Sequence, residues 1–253
     1  MSEMCYTATV GEKVSPFFEK MVLGEAKMKS QIHTGCGIRR MELMRYLLLQ
    51  TSLVRGGVKP AEILTVNHCY CASDPERTGS VFHSQTSSNL PSSDNFTEGF
   101  CILQGEVLRR LGLPWKTLRH RDHGSLTIFY DPQLLAETLA VPAVQKYLRR
   151  NGYSDCETLD QWLARLAERF ETESFPHEVG LFLGYPLKDV VGFISARARH
   201  THQGSWRVYG RKEPSLQLMD RYRRARQLAE TIVSQVEDWD QCVQKISSIK
   251  SLI

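Results

Sequence analysis

The apolar positions along the chain recur mostly with the spacing of an amphipathic helix. Apolar residues three and four apart predict helices over residues 41–54 and 100–111, and a weaker pattern indicates a further helix over 15–29. A long final helix is predicted to begin near Pro214. Its apolar face consists of Leu218, Tyr222, Ala225, Leu228 and Ile232. The pattern is therefore that of a helix-rich chain.

The period changes to two between residues 115 and 131, where Leu126, Ile128 and Tyr130 share one face. The intervening Asp-His-Gly at 122–124 is typical of a turn, so this stretch predicts an antiparallel hairpin. A short strand is also predicted from Ser205, in SWRVYG. The predicted fold class is α+β, a predominantly helical single domain with a small antiparallel β-hairpin or sheet.

Helix boundaries are marked clearly after the hairpin. Asp131 followed by Pro132 predicts a capped helix start, with that helix running to about Leu139. A second helix is predicted from Pro142 to Arg150, stopped by Asn-Gly. A third follows the capping-box pair Thr158 and Gln161. Its apolar face consists of Leu159, Trp162, Leu163, Leu166 and Phe170.

Composition shifts divide the chain into parts. Residues 1–40 are interpreted as an N-terminal extension, 41–235 as one globular domain, and 236–253 as a C-terminal helical tail. Within the domain, the stretch from about 72 to 95 is rich in Ser, Thr, Asn and Pro. Because it offers little to bury, it predicts a long inserted surface loop.

Composition and charge exclude several classes of protein. In 253 residues, no apolar run approaches the roughly 18 residues of a membrane span, and the N-terminus lacks the pattern of a signal peptide. A cytoplasmic location is therefore expected, with no membrane partner. Seven cysteines, an odd number, favour reduced thiols over a disulfide framework. A net charge of +4 is too small to predict nucleic-acid binding.

The stretch SFPHEVGLFLGYPLKDVVGFI, residues 174–194, places a His–Glu pair at a helix start, followed by a Gly-Tyr-Pro corner and a second apolar helix. One interpretation makes His177 and Glu178 capping residues, since a carboxylate is stabilised at the positive end of a helix. The other makes them catalytic, with His177 in a pocket as proton carrier or ligand and Glu178 as its orienting partner. The capping interpretation is favoured, and it accounts for Glu178 better than for His177.

Familiar catalytic motifs are missing from the sequence. The zinc-protease pattern H-E-x-x-H fails because Leu181 stands where the second histidine is required. The sequence contains no G-x-S-x-G nucleophile elbow, no phosphate-binding P-loop and no dinucleotide-binding G-x-G-x-x-G. The usual signals of four enzyme classes are thus absent together.

Two clusters are weak candidates for metal binding. His68, Cys69 and Cys71 have a C-x-C spacing that differs from common zinc sites, and a strand with a buried thiol is the favoured alternative. His200 and His202 could bind a transition metal or haem weakly, but a solvated turn leading into the strand of Trp206 needs no ligand and is favoured. No metal site is therefore assigned.

The final predicted helix carries an arginine-rich segment, Arg221, Arg223, Arg224 and Arg226. Such a segment is suited to an acidic partner. Acidic residues four positions away partly neutralise it, which favours a solvated helix face.

The string FPHEVGLFLGYPLKDVVGFI, with SWRVYG after it, resembles the bacterial family called domain of unknown function 3793. TSLVRGGVKPAEIL and RHRDHGSLTIFYDPQLL resemble its N-terminal segment and its hairpin with the following helix. The resemblance covers residues 41–68 and 100–235. The matching positions are Gly57, Lys59, His177, Glu178, Gly180, Gly184, Tyr185, Pro186, Gly192, Trp206, Tyr209 and Gly210.

This chain departs from the family pattern at its cysteines. The family commonly has cysteine near the position of Thr51, and further cysteines where this chain has His200, His202 and Ser205. If those thiols carry the family's chemistry, this member has lost it or has substituted histidine, which weakens a thiol-based mechanism here. The resemblance implies anaerobic bacteria and a genomic neighbourhood of flavodoxin or ferrous-iron uptake genes, which points to iron homeostasis without naming a reaction.

Two hypotheses of function follow. In the first, the protein binds a small molecule or a cofactor related to haem, iron or flavin, with or without catalysis. The cofactor is otherwise unknown. Lys59, Tyr185, Trp206 and Tyr209 would line the ligand site beside His177 and Glu178. In the second, the protein is a non-enzymatic interaction module whose arginines bind an acidic redox carrier such as flavodoxin.

Overall fold

The structure is a computed structural model, and it describes residues 36–67, 108–121, 124–172, 175–195 and 199–253. Three sequence predictions lie outside these residues: the helix over 15–29, the serine-rich loop over 72–95, and the cluster of His68, Cys69 and Cys71. They stay predictions.

Helices make up most of the described residues. They are α1 (Cys36–Gln50), α2 (Ser52–Arg55), α3 (Pro132–Ala140), α4 (Pro142–Arg150), α5 (Leu159–Thr172), α6 (Val179–Phe182), α7 (Leu187–Ser195), α8 (Glu213–Gln235) and α9 (Trp239–Ser247), with a final 3-10 helix (Ile249–Leu252). Residues 108–111 are also helical. The strands are β1 (Ala61–Asn67), β2 (Trp115–Arg121), β3 (Gly124–Tyr130), β4 (His202–Gln203) and β5 (Arg207–Val208).

The predicted hairpin is confirmed as β2 and β3, but it belongs to a larger sheet. The strand order is β1-β3-β2, with both pairings antiparallel. Strand β1 was not predicted, because its residues AEILTVN carry one charged side chain and only a short apolar alternation. Ala61 lies opposite Tyr130 and Asn67 opposite Gly124, so the whole of β1 pairs with the predicted hairpin. The α+β class, mostly helical with a small antiparallel sheet, is confirmed.

The three-stranded sheet forms the middle layer of the molecule, with helices on both faces. Ile63, Leu126 and Ile128 point into a first core formed with α3, α4, α5, α6 and α7. Residues of the opposite face, including Leu64 and Phe129, point into a second core formed with α1, α2, α8, α9 and the final 3-10 helix. This alternation follows from the period of two in a strand. Both faces are therefore buried.

The predicted helix starts after β3 are confirmed in atomic detail. The Asp131 side chain accepts a hydrogen bond from the Leu134 backbone N–H at 2.9 Å, ahead of Pro132. At the start of α5, the Gln161 N–H donates to Thr158 Oγ1 at 3.3 Å, while the Thr158 N–H donates to Gln161 Oε1 at 3.0 Å. These reciprocal bonds form the expected capping box.

The C-terminal segment belongs to the second core. Cys242 and Ile246 of α9 and Ile249 of the 3-10 helix are buried there, beside α1 and α2. Arg55 of α2 also donates a hydrogen bond to Ser247 Oγ at 3.0 Å. Residues 239–252 therefore contribute to the core that covers one face of the sheet. Among the described residues, no helix combines the length and the apolar character that crossing a membrane requires.

Candidate functional site

Lys59 lies at the junction between α2 and β1. Helix α2 ends in a turn in which Gly57 has a φ of +63°, a value that glycine adopts without steric cost. The N–H groups of Val58 and Lys59 then donate to the Leu53 carbonyl at 2.9 and 3.1 Å. This turn directs the Lys59 side chain inward, where only 6% of it is exposed.

The buried ammonium is paired with one carboxylate. Lys59 Nζ donates to Glu62 Oε2 at 2.8 Å, and the Glu62 side chain is 22% exposed. Lys59 Nζ also lies 5.5 Å from the ring centroid of Tyr185 and 5.9 Å from that of Tyr222. Such distances allow cation–π attraction, which strengthens when the cation is desolvated.

Trp206 completes this group of aromatic rings. Its ring stacks on Tyr185 at a centroid separation of 4.7 Å and lies 6.3 Å from Tyr222. Trp206 is buried, whereas Tyr185 and Tyr222 are half-buried. We call Lys59, Glu62, Tyr185, Trp206 and Tyr222 the lysine cluster. Segments distant along the chain meet in it.

The electrostatics of the lysine cluster keep Lys59 charged and both tyrosines neutral. Burial lowers the pKa of Lys59, but the charge and the hydrogen bond of the neighbouring Glu62 carboxylate act in the opposite direction, and the pKa lies above its usual value. Burial raises the pKa of Tyr222 to about 12 and also raises that of Tyr185, in each case against the opposing effect of Lys59. The site therefore presents a permanent cation between two neutral phenols.

Asp189 of α7 holds Trp206 and Tyr209 in position. Its carboxylate, 2% exposed, accepts hydrogen bonds from Trp206 Nε1 at 2.9 Å, the Tyr209 backbone N–H at 2.8 Å and Ser215 Oγ at 2.6 Å. Lys188 Nζ pairs with the same carboxylate at 2.7 Å. Sequence reasoning missed this residue. The available signal was a carboxylate in the first turn of an otherwise apolar helix. If such a helix is buried, the carboxylate needs buried hydrogen-bond donors.

Two glycines permit close approach around the site. A Cβ at Gly192 would lie 2.3 Å from Cγ of Tyr209, so only glycine lets that ring pack on α7. Gly184 has a left-handed conformation, with φ of +79°, and a Cβ there would lie 2.7 Å from Cδ of Pro60. The packing partners are protein side chains in both places. Tyr209 is also buried, and its backbone N–H donates to the same Asp189 carboxylate that accepts a hydrogen bond from Trp206 of the lysine cluster.

His177 lies among other rings. Its imidazole is half-buried and packs against Phe193 at a centroid separation of 5.2 Å and against Phe175 at 6.0 Å. Lys59 packs instead against Tyr185 and Tyr222. The structure thus brings Lys59, Tyr185 and Trp206 together and gives His177 a separate aromatic environment.

Glu178 occupies the N-cap position of α6, but its side chain makes no capping hydrogen bond. The carboxylate, 6% exposed, accepts hydrogen bonds from Tyr153 Oη at 3.1 Å and from Arg169 Nε. The favoured capping interpretation is therefore wrong for Glu178. The physical reason is that a basic residue of α5 and a phenol from the preceding loop provide stronger donors than the end of a four-residue helix. Arg169 and Tyr153 were not identified from sequence.

The second histidine pair lies on the surface. His202 is in β4, which pairs with β5, and both His200 and His202 are exposed. Across the part of the chain that the structure describes, no group of three or more His, Cys, Asp or Glu side chains has the geometry to hold a metal ion.

Three of the four arginines singled out on α8, namely Arg223, Arg224 and Arg226, have partners within the protein. Arg223 and Arg224 both pair with Asp220, the latter at 3.0 Å. Arg226 donates to the Leu49 carbonyl at 2.6 Å and to Gln50 Oε1 at 2.8 Å, which ties α8 to the end of α1. The cationic surface open to a partner is therefore smaller than the sequence indicated. Binding of an acidic redox protein by these arginines stays a prediction.

Comparison with known proteins gives one match. A family model described as "Protein of unknown function (DUF3793)" matches residues 47–243, which include every residue of the lysine cluster, His177 and Asp189. No curated protein and no solved structure matches the chain.

Proposed function

The chain belongs to the DUF3793 family, and we propose that this member binds a small planar molecule carrying a carboxylate or phosphate, with the lysine cluster as its binding site. The observation that carries the proposal is the Lys59 ammonium, which is buried, lies 5.5 and 5.9 Å from the centroids of two half-buried tyrosine rings and pairs with a partly exposed carboxylate. A fixed cation selects an anionic group, and the adjacent rings favour a flat, polarisable molecule.

Stability alone does not account for this arrangement. Burying a charged pair carries a desolvation penalty that often equals or exceeds its Coulombic gain, so an apolar side chain at position 59 would serve the fold as well. A titratable group whose pKa is perturbed by burial together with a specific charge partner is a candidate for a functional site. The lysine cluster therefore supports a binding role better than a purely structural one.

Each residue of the lysine cluster has a distinct role in the proposed site. Lys59 would pair with the anionic group of the ligand. Tyr185 and Tyr222 would contribute ring faces and neutral hydroxyls as hydrogen-bond donors. Trp206 supports Tyr185 from behind, and Asp189 holds the indole in place. The proposal gives no role to His177, because its described ring contacts are with Phe175 and Phe193.

Flavin mononucleotide and haem both have the proposed chemistry, a planar ring system with a phosphate or with carboxylates. Isothermal titration calorimetry of the purified protein with each compound tests the proposal. We expect at least one to bind, and the Lys59→Met variant to bind it about tenfold more weakly, since a charged hydrogen bond is lost.

Lys146→Met is the matched control. Lys146 is exposed on α4, so this variant makes the same charge change away from the lysine cluster and should bind like the wild type. Two results would contradict the proposal: no binding of either compound by the wild type, or equal binding by the Lys59→Met variant.

A further inference from the structure

Glu62 differs from its partner Lys59 in its exposure to solvent. It is the second residue of β1, and its side chain lies on the same strand face as Leu64. The carboxylate reaches Lys59 Nζ across three positions of the chain, and the Glu62 side chain is 22% exposed against 6% for Lys59. The anion of this pair therefore lies on the solvent side, and the cation lies inside.

We infer that Glu62 is an internal counter-ion that occupies the anion position of the site, and that the carboxylate or phosphate of the ligand displaces it from Lys59. This inference rests on the proposed function, because it describes how the same site is held when no ligand is bound. It assigns Glu62 an autoinhibitory role: the carboxylate neutralises Lys59 and competes with the ligand for it.

The geometry makes this exchange possible without movement of the backbone. A glutamate side chain has three rotatable bonds, so Glu62 can turn its carboxylate toward water while β1 keeps its pairing with β3. The Lys59 ammonium is buried and lies 5.5 and 5.9 Å from the ring centroids of Tyr185 and Tyr222, so cation–π attraction favours its present position. An ammonium has three donors, so a second anion can begin to bind before the Glu62 contact breaks.

Displacement of Glu62 by the ligand also predicts which molecules the site binds best. A neutral molecule with the same ring system cannot replace the Glu62 carboxylate and gains little from Lys59. An anionic molecule gains the charged hydrogen bond but must overcome both competition and repulsion from Glu62. Glu62 therefore lowers the affinity for anionic ligands while leaving neutral ones nearly unaffected.

The experiment compares flavin mononucleotide with riboflavin, which shares its ring system and lacks its phosphate. Binding of each is measured by calorimetry for the wild type, Glu62→Gln and Glu171→Gln. Glu171 is exposed at the end of α5, so the last variant repeats the charge change elsewhere. We expect Glu62→Gln to bind flavin mononucleotide about fivefold more tightly or better, as expected when a partly exposed competing ion pair is removed.

We expect the affinity for riboflavin to change less than about twofold in every variant. We expect the same of the affinity of Glu171→Gln for both compounds. If the wild type binds flavin mononucleotide and Glu62→Gln binds it equally or more weakly, the counter-ion role is overturned and the proposed function stands. If neither the wild type nor Glu62→Gln binds flavin mononucleotide, the counter-ion role is overturned too, and the proposed function is then decided by the haem titration.

A second variant covers the case in which Glu62→Gln does not fold, as judged by circular dichroism. Glu62→Asp keeps the charge but shortens the side chain by one methylene, which lengthens the contact with Lys59 Nζ. It should bind flavin mononucleotide about twofold more tightly than the wild type. Unchanged or weaker binding would overturn the inference by this route too.

Discussion

At the scale of single residues, Asp189 links three parts of the molecule. Its carboxylate joins α7 to the indole of Trp206, to the backbone of Tyr209 and to Ser215 in the first turn of α8. Lys188 Nζ supports the same network through Ser215 Oγ at 2.8 Å and the Tyr209 carbonyl at 3.0 Å. Buried networks of this kind are stabilising only while every member is satisfied.

We therefore expect Asp189→Ala to lower the free energy of unfolding by about 3 kcal/mol, because it leaves buried donors without an acceptor. Urea denaturation followed by circular dichroism measures the change. Asp155→Ala is the comparison, since Asp155 pairs with Arg165 at 2.7 Å but has a side chain that is 66% exposed. That variant should lose less than about 1 kcal/mol. Equal losses in the two variants would show that the Asp189 network contributes little.

At the scale of elements, the corner between α6 and α7 depends on a glycine for two reasons. Gly184 has a φ of +79°, which side chains rarely adopt, and Pro60 fills the space where a Cβ would project. The same corner carries Tyr185, whose ring packs against Lys59 and Trp206. The geometry of the lysine cluster is thus set by how closely this corner approaches the start of β1.

Comparison of Gly184→Ala with Gly210→Ala separates the cost of the left-handed backbone from the cost of the close packing against Pro60. Gly210 has a similar φ of +64°, but a Cβ added there would meet no heavy atom within 4 Å. We expect Gly210→Ala to lower the free energy of unfolding by about 1 kcal/mol through backbone strain alone. Gly184→Ala should lose about 1–3 kcal/mol more, since Pro60 must also move. Thermal and urea unfolding of both variants tests this, and similar losses would contradict the close packing at Pro60.

At the scale of the whole molecule, the sheet has one core on each face, and the last residues of the chain complete the second core. Ile246 of α9 is fully buried there. A Cβ at Gly56, the C-cap residue of α2, would lie 3.0 Å from the Ile246 carbonyl oxygen, so the backbones at the end of α2 and in α9 are in close contact. Helix α2 leads directly into the turn that holds Lys59, so this packing supports the proposed binding site.

Truncation after Gln235 should therefore abolish cooperative unfolding, because it exposes the apolar residues of α1, α2 and α8 that α9 covers. In the full chain, Ile246→Ala should cost about 3 kcal/mol through the cavity it leaves. Lys245→Ala, at the exposed neighbouring position, should change the free energy by less than about 0.5 kcal/mol. A truncated chain that still unfolds cooperatively in urea would contradict the role assigned to the C-terminal segment.

The sequence alone determined the features that depend on local physics. Periodicity and capping residues predicted the helices from Pro132 to Thr172 nearly to the residue, and the hairpin from its period of two. These signals are readable because capping bonds and side-chain alternation involve residues a few positions apart. The sequence also singled out Lys59, Tyr185 and Trp206 as site residues, from the resemblance to the family.

Only the tertiary structure decided which of those residues meet. Strand β1 is stabilised by pairing with β3, which lies far along the chain, and local pattern contains no trace of that partner. Glu178 bonds to Arg169 and Tyr153 rather than to its own helix, and Asp189 binds donors 17 to 26 residues away. A buried carboxylate must be hydrogen-bonded by donors that the fold places next to it. Its partners therefore depend on tertiary packing and cannot be read from spacing along the chain.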